Sequence, residues 1–533
     1  MMKIPFMMIF PFLFIILTLS LTNTKADNHN YSIQDTLIKC LNSQSNPSYP
    51  ISPLIYAPKN TSFPTVLQTY IRNLRFNTST TRKPLLILTA THVSHIQGAI
   101  LCSKQTGIQM KIRSGGHDYE ALSYVSIVPF FVVDMFNLRK IDVNIDEETA
   151  WVESGSTLGE VYYAIANKSK IHAFPAGVCP TVGAGGHITG AGYGNMMRKF
   201  GLTVDNLIDA IIVDVNGRIL DRASMGEDLF WAIGGGGGSS FCVIISYKIK
   251  LVRVPEKVTV FKVSRLLEQN LTDLVIQYQN IAPNLDPNAF IRLTLDVTND
   301  TSITNRATFR CLFLGDVKSI LSIVKKNFPL LGLEKSDCHE MSWVDSVLFY
   351  SDFALGTPVE TLLNRQPVNI NYLKRKSDYL LEPIPRYGLE GLWKKMAELR
   401  TPQLTFNPYG GKMAEISADA TPFPHRAGHL FKLQYATDWK EGGDDRAKYY
   451  IELTRKLHSY MTPFVSKNPR EAFLNYRDID LGINHQGSRS YVEGKRYGVM
   501  YFKDNFDRLV EIKTKVDPTN FFRNEQSIPI LPH

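Results

Sequence analysis

Cysteine is scarce: six residues in a chain of 533 are too few for a fold held together by disulfides, so each needs its own account. Blocks of like charge are missing as well. No run of five same-sign residues occurs, and the densest cluster, Lys374-Arg375-Lys376, reads as solvated surface rather than a nucleic-acid stripe. With Lys+Arg 59 against Asp+Glu 50 the chain is only mildly basic, at a net +9 and a pI near 9.0. After residue 26 no segment is apolar enough to span a bilayer. The motifs C-x-x-C, H-E-x-x-H and G-x-S-x-G are absent, which removes the best support for zinc and serine-hydrolase chemistry, and no metal is expected. With 44% hydrophobic and 20% charged residues, the chain reads as a globular protein with a large core.

The N-terminus is a separate object. Met1 to Lys3 carry one positive charge, Ile4 to Leu21 are almost wholly apolar, and Lys25-Ala26 closes a small, polar stretch, so residues 1–26 read as a secretory signal. The apolar run is long, which leaves an uncleaved anchor as the alternative; Pro5 and Pro11 argue against it. Sequons N-x-[ST] beginning at Asn30, Asn60, Asn77, Asn167, Asn270 and Asn299 fit secretion. A glycoprotein of the secretory pathway is expected, bound for the apoplast, cell wall or vacuole, with no membrane insertion once the signal is cleaved. The positive excess could favour retention among acidic wall polysaccharides.

Short strands and helices alternate from Lys83 to about Pro255. Pro84 to Leu88 and Met110 to Arg113 read as strands, Ser94 to Lys104 as a helix, and Thr157-x-x-Glu160 as a capping box opening another. Asn216-Gly217 marks a hairpin, and Ser224-x-x-Glu227 opens a helix through Ile233. From about Val258 the texture changes: strand-like Val258–Val263, Phe290–Val297 and Leu430–Tyr435 are separated by long helices such as Val317–Asn327 and Tyr387–Leu399. The tail from Phe473 returns to short elements, with a helix near Phe506–Lys515. The fold class is therefore α+β, in closely packed domains. Cys40 and Cys102 lie in helical sequence and could staple the N-terminal segment to the next unit. Cys242, Cys311 and Cys338 read as buried or paired.

Two glycine-rich stretches carry the chemistry. Seven glycines lie between Gly177 and Gly194, and Gly234 to Gly238 are five in succession. Glycine lets backbone N–H groups converge on an anion and lets the chain approach a flat ligand closely, as a dinucleotide requires. Neither stretch has the G-x-G-x-x-G or Walker A pattern, which disfavours Rossmann and P-loop folds. Cys179 stands at the entrance to the first stretch, and His117 in a third loop, Arg113-Ser114-Gly115-Gly116-His117-Asp118-Tyr119.

The segments RSGGHDYEALSY (Arg113–Tyr124), FPAGVCPTVGAGGHITGAGYG (Phe174–Gly194), MGEDLFWAI (Met225–Ile233), NYRDID (Asn475–Asp480) and FFRNEQSIP (Phe521–Pro529) resemble the plant berberine bridge enzyme-like flavoproteins. The resemblance implies an FAD-binding PCMH-type (vanillyl-alcohol oxidase) fold. An inserted α+β substrate domain, residues 257–472, would cover the flavin with an antiparallel sheet. Residues 27–256 would form the FAD domain with its N-terminal extension, and 473–533 the segment that completes it. FAD would be attached twice, through His117 and Cys179, within a cradle of Arg113, Ser114, Gly115, Gly116, Gly183, Gly185, Gly186, His187, Gly190, Tyr193 and Gly194. Cys40 and Cys102 match the family's disulfide.

Members resembling monolignol oxidoreductases use a tyrosine base ionised with help from a lysine, which implies Tyr476 and Lys432 here, with Tyr193 and Gln434 beside them. Tyr119, Asn407 and Gln434 match substrate-pocket positions. Val182 occupies the oxygen gate, where valine marks oxidases. Three positions depart from the family pattern: Gly234 replaces an arginine, Cys242 a glycine and Ala191 a glycine. The expected activity is that of a monomeric oxidase acting on a phenolic, allylic-alcohol or prenylated phenol and reducing molecular oxygen to H2O2. A carbohydrate oxidase, a redox-neutral pericyclic cyclase that keeps FAD, and a secreted defence protein valued for its surface are the alternatives.

Overall fold

A computed structural model describes residues 33–298, 303–367, 369–485, 487 and 489–532. The signal and the sequons at Asn30 and Asn299 lie outside the described residues; Asn60, Asn77, Asn167 and Asn270 are all exposed. Four sheets organise the chain. In the first, Ile87–Thr89 and Gln109–Arg113 both pair in parallel with Phe130–Asp134, whose run of Phe130, Phe131, Val132 and Val133 is buried on both faces, as parallel strands are. The second is antiparallel in the order Ile141–Asn144, Thr149–Glu153, Val243–Lys250, Leu207–Val213, Ile219–Leu220. The Asn216-Gly217 hairpin is where the sequence places it, with Gly217 at φ +77°. A third sheet of two short strands pairs Val252–Arg253 with His172–Ala173.

The largest sheet has seven antiparallel strands, from Cys338–Met341 at one edge to Tyr372–Leu380 at the other. One face is covered by helices that include Leu271–Ile281, Val317–Asn327, Arg386–Leu399 and Asp444–Tyr460. The two-residue strand period then decides what the other face carries. In Phe431–Trp439 the residues Phe431, Leu433 and Tyr435 enter the helix-side core, so Lys432 and Gln434 emerge opposite. In Gln403–Pro408 burial of Leu404 and Phe406 leaves Asn407 on that same face, paired in register with Lys432. In Ala289–Thr298 burial of Ile291 and Leu293 does the same for Arg292. Sequence alternation alone thus lines up Lys432, Asn407 and Arg292 across three strands.

A disulfide joins Cys40, in a helix over 33–43, to Cys102 in the helix Val93–Thr106. Cys242 and Cys311 are buried, whereas Cys338 is half-buried and unpaired. The capping box at Thr157 and Glu160 opens the helix Leu158–Lys168 as expected. Arg222–Ile233 is two helical pieces joined across Gly226, whose φ of +78° is not helical; Asp221 caps the first, accepting a 2.9 Å hydrogen bond from the Ser224 amide. The tail contains a longer element than its sequence suggested, the helix Ser490–Phe502, which packs on Asn505–Val516.

Buried charge ties three parts of the chain together. Lys374, on the large sheet, lies 2.6 Å from Glu120 of the third loop and 2.7 Å from Asp478 of the tail. All three side chains are at most 3% exposed. Lys376 pairs with the same Asp478 and, at 3.0 Å, with Asp480. Removing one partner of such a cluster leaves the others buried and unpaired. Lys374→Met should cost about 3–5 kcal/mol of stability, seen as a fall in the thermal unfolding midpoint; an unchanged midpoint would show that the cluster does not hold the three segments together.

Candidate functional site

The site is a cleft of about 380 Å³ between the first two sheets, the exposed face of the large sheet, and the tail. Its floor is set where the third loop meets the first glycine stretch. A Cβ on Gly115 would stand 2.3 Å from the Gly183 amide nitrogen, and one on Gly183 only 2.2 Å from Ser114 Oγ, so neither position admits a side chain. Gly186 is the opposite case: a Cβ there would meet nothing within 4 Å, because the residue borders the open cleft. Gly116, Gly185 and Gly190 also line it, while Ser114 fastens its loop by donating to Ser154 O at 2.6 Å.

The same contact brings His117 and Cys179 together. Thr181 Oγ1 lies 3.0 Å from His117 Nε2 and 3.6 Å from Cys179 Sγ, so one hydroxyl orients both. With Nε2 engaged, Nδ1 is the imidazole nitrogen left without a hydrogen bond among the described residues. Burial, helped by the nearby Arg72 guanidinium, lowers the His117 pKa to about 3, which keeps the ring neutral and nucleophilic. Cys179 is exposed to the cleft. His187 accepts from the Gly177 amide at 3.1 Å and is likewise held neutral, near 3, chiefly by burial.

Two expected cradle residues do not face the cleft. Arg113 is fully buried beneath it, bonded to Asp134 and to the carbonyls of Val66 and Leu67, because only a carboxylate and backbone acceptors can satisfy a guanidinium there. Gly194 is packed so that a Cβ would overlap Ala176 O. Of the three departures, Cys242 lines the cleft. Ala191 is buried at φ +84°, a left-handed conformation better suited to glycine.

At the other end of the cleft Tyr119, Tyr193 and Tyr476 form an aromatic box. Tyr476 lies 5.8 Å from Tyr119 and 5.9 Å from Tyr193, ring centre to ring centre, and the hydroxyls of Tyr193 and Tyr476 are hydrogen-bonded. Gln434 donates to the Tyr119 hydroxyl at 3.1 Å, and Asn407 Oδ1 accepts from Tyr193 at 3.5 Å. Lys432 departs from expectation. Instead of bonding the Tyr476 hydroxyl, its ammonium nitrogen sits over ring faces, 2.8 Å from the centre of Tyr193, 3.9 Å from Phe473 and 4.7 Å from Tyr476. Among the described residues it has no hydrogen-bond partner. Its strand position explains this, since Lys432 rises from beside Asn407 into a space walled by the three rings.

Burial and the neighbouring Arg292 push the Lys432 pKa well below that of a free amine, and burial pushes Tyr476 well above that of a free phenol. Burial thus disfavours the charged form of both groups. Sequence reasoning missed Arg292, which lines the cleft and donates from Nε to Asn407 Oδ1 at 2.9 Å, and Arg375, whose guanidinium lies 5.6 Å from the Tyr119 ring centre. The only signal for Arg292 was a charge at an alternate position of an otherwise apolar strand. Asn475 was missed as a brace: it accepts from Gly192 N at 3.0 Å and donates to Gly186 O at 3.2 Å.

The family model for berberine and berberine-like proteins matches residues 472–529, and that for an FAD-binding domain residues 84–222. Berberine bridge enzyme-like 8 of Arabidopsis thaliana is 60% identical over 505 residues, covering 93% of this chain and 95% of that protein. The chain belongs to the berberine bridge enzyme-like family. BBE-like 28 of Arabidopsis thaliana shares its fold with a TM-score of 0.87 at 43% identity, over 93% of this chain and all of that one. Phl p 4, a grass pollen allergen with glucose dehydrogenase activity, has a TM-score of 0.88 at 41% identity, over 93% and 100% of the two chains. Berberine bridge enzyme from Eschscholzia californica gives 0.87 at 37% identity, over 93% and 99%.

Membership makes the chain an FAD-dependent oxidoreductase, and the cleft fits the cofactor. It has open backbone at Gly186, apolar walls from Leu158 and Ile244, and a free imidazole nitrogen and a free thiol side by side. Among the described residues no helix is long and apolar enough to cross a membrane. Gly186→Val should give folded, flavin-poor protein, read from the ratio of flavin to protein absorbance, because the branched side chain would fill the cradle; normal flavin content would place the cofactor elsewhere.

Proposed function

We propose that the protein is a secreted oxidase whose FAD is held by bonds to both His117 and Cys179 and whose substrate is a phenol bearing an allylic alcohol or a prenyl group. The observation that carries this reading is the box of three tyrosines around a buried, unpartnered lysine amine. Bound in the cleft, FAD supplies a hydride acceptor. The chain's own residues provide the rest. Tyr119, Tyr193 and Tyr476 offer aromatic faces to a planar substrate, and Gln434 and Asn407 fix the hydroxyls of Tyr119 and Tyr193.

The Tyr476 phenolate takes the substrate's hydroxyl proton and becomes the phenol. Burial opposes forming that phenolate, and the neighbouring Arg292 guanidinium favours it. Val182, half-buried in the cleft wall, leaves space for oxygen to approach. In the pollen relative, a variant with isoleucine replaced by valine is a glucose oxidase, whereas the wild type is a glucose dehydrogenase.

That relative also supports a second reading, oxidation of a sugar. An anaerobic screen separates the two: flavin bleaching by coniferyl-type alcohols or prenylated phenols, with none by glucose or cello-oligosaccharides, is the expected result. Bleaching by sugars alone would reverse the assignment. Product formation without bleaching or oxygen uptake would replace oxidation by cyclisation.

Tyr476→Phe should slow flavin reduction by about 10²–10⁴-fold with flavin content unchanged; an unaltered rate would remove Tyr476 as the base. His117→Ala and Cys179→Ala should each stay yellow after acid precipitation, through the remaining bond. The double variant should lose its colour, and a colourless single variant would show one attachment rather than two.

A further inference from the structure

Two histidines and a glutamate with no part in the reaction above meet behind the tyrosine box. His425 and His429 lie in the loop that leads into the strand Phe431–Trp439, and Glu471 immediately precedes Ala472 and Phe473. All three are buried. His425 Nδ1 is 3.0 Å and His429 Nε2 is 2.6 Å from the same oxygen, Glu471 Oε2. The outer nitrogens face backbone carbonyls: His425 Nε2 is 3.1 Å from Tyr501 O, and His429 Nδ1 is 3.2 Å from Arg426 O.

Carbonyl oxygens only accept, so each outer nitrogen carries the ring's hydrogen. A neutral imidazole then points its lone pair inward. Two lone pairs and a carboxylate oxygen converge on one buried point, an arrangement that repels unless something positive stands between them. Imidazoles that donate outward to carbonyls while presenting the other nitrogen inward are the usual setting of metal-ligating histidines.

We propose that His425, His429 and Glu471 form a site for a divalent first-row transition ion, Zn²⁺ in the simplest case. The three candidate ligand atoms lie within 4.8 Å of one another. Donors around a tetrahedral ion with bonds near 2.1 Å stand about 3.4 Å apart, so the two nitrogen–oxygen separations of 3.0 and 2.6 Å would each open by under about 1 Å on loading. Lys503 Nζ lies 3.1 Å from the other oxygen, Glu471 Oε1, and its side chain is 35% exposed, so it can turn to solvent as the carboxylate moves. Two protons could supply the same positive charge, but an ion adds coordinate bonds to all three groups. The bound ion would clamp the loop that carries Phe423 to the segment that carries Phe473, rings already 5.8 Å apart, and so brace the wall that covers Lys432.

The test uses tag-free holoprotein treated with a chelator that is then dialysed away. Calorimetric titration with Zn²⁺ should show one ion bound per chain and raise the unfolding midpoint. Loading with Co²⁺ should give the ligand-field bands of a nitrogen- and oxygen-ligated tetrahedral ion, at wavelengths beyond those of oxidised flavin. His429→Gln should weaken Zn²⁺ binding at least about tenfold. The cobalt spectrum comes from the wild type and keeps the test intact should the variant fold poorly. Wild-type protein that takes up neither ion, or equal Zn²⁺ affinity in folded His429→Gln, would overturn the site.

Discussion

The cleft depends on one steric fact: two loops from different sheets touch backbone to backbone at Gly115 and Gly183, with no space for a methyl group between them. Because the loops touch, His117 on one and Thr181 and Cys179 on the other come within hydrogen-bonding reach. Because Gly186 then faces open space, the floor beneath them is bare backbone. The imidazole and the thiol are placed by glycine where no side chain would have fitted. Lost contact at this junction would separate the imidazole from the thiol as well as reshape the floor.

Charge is handled in two contrasting ways. Around Lys374, burial is compensated at once by carboxylates from the third loop and the tail, and the cluster fastens segments far apart in sequence. Around Lys432, Nζ has no hydrogen-bond acceptor among the described residues and lies over aromatic faces. The first arrangement keeps a lysine charged and immobile. The second disfavours the charged form, so the same side chain meets opposite electrostatic surroundings in the two places.

Much of the fold could be read from the sequence where periodicity was strong. The helix Val317–Asn327 has the predicted bounds, and the strand around Lys432 declares its two faces through alternating Phe431, Leu433 and Tyr435. The helix expected from Ser224 to Ile233 is interrupted at Gly226, whose positive φ no sequence pattern announced, and Asp221 caps the short turn before it. Motif resemblance brought His117, Cys179, Tyr119, Tyr193 and Tyr476 into one cleft. It assigned Arg113 to that cleft wrongly, because a motif records which residues recur and not which way they point. Arg292 and the imidazole pair escaped notice because their partners, Asn407 and Glu471, are distant in sequence and nothing local announces them.

The tail has a consequence for how the protein is made. Leu474, Tyr476, Phe522, Arg523 and Asn524 are cleft residues, and Glu525 bonds Lys111 across 414 positions, while the buried Lys513 holds Ser240 O and Phe522 O. A nascent chain that has displayed His117 and Cys179 still lacks one wall of the cavity around them until synthesis has run several hundred residues further. The cavity is thereby closed only by the last part of the chain to be synthesised.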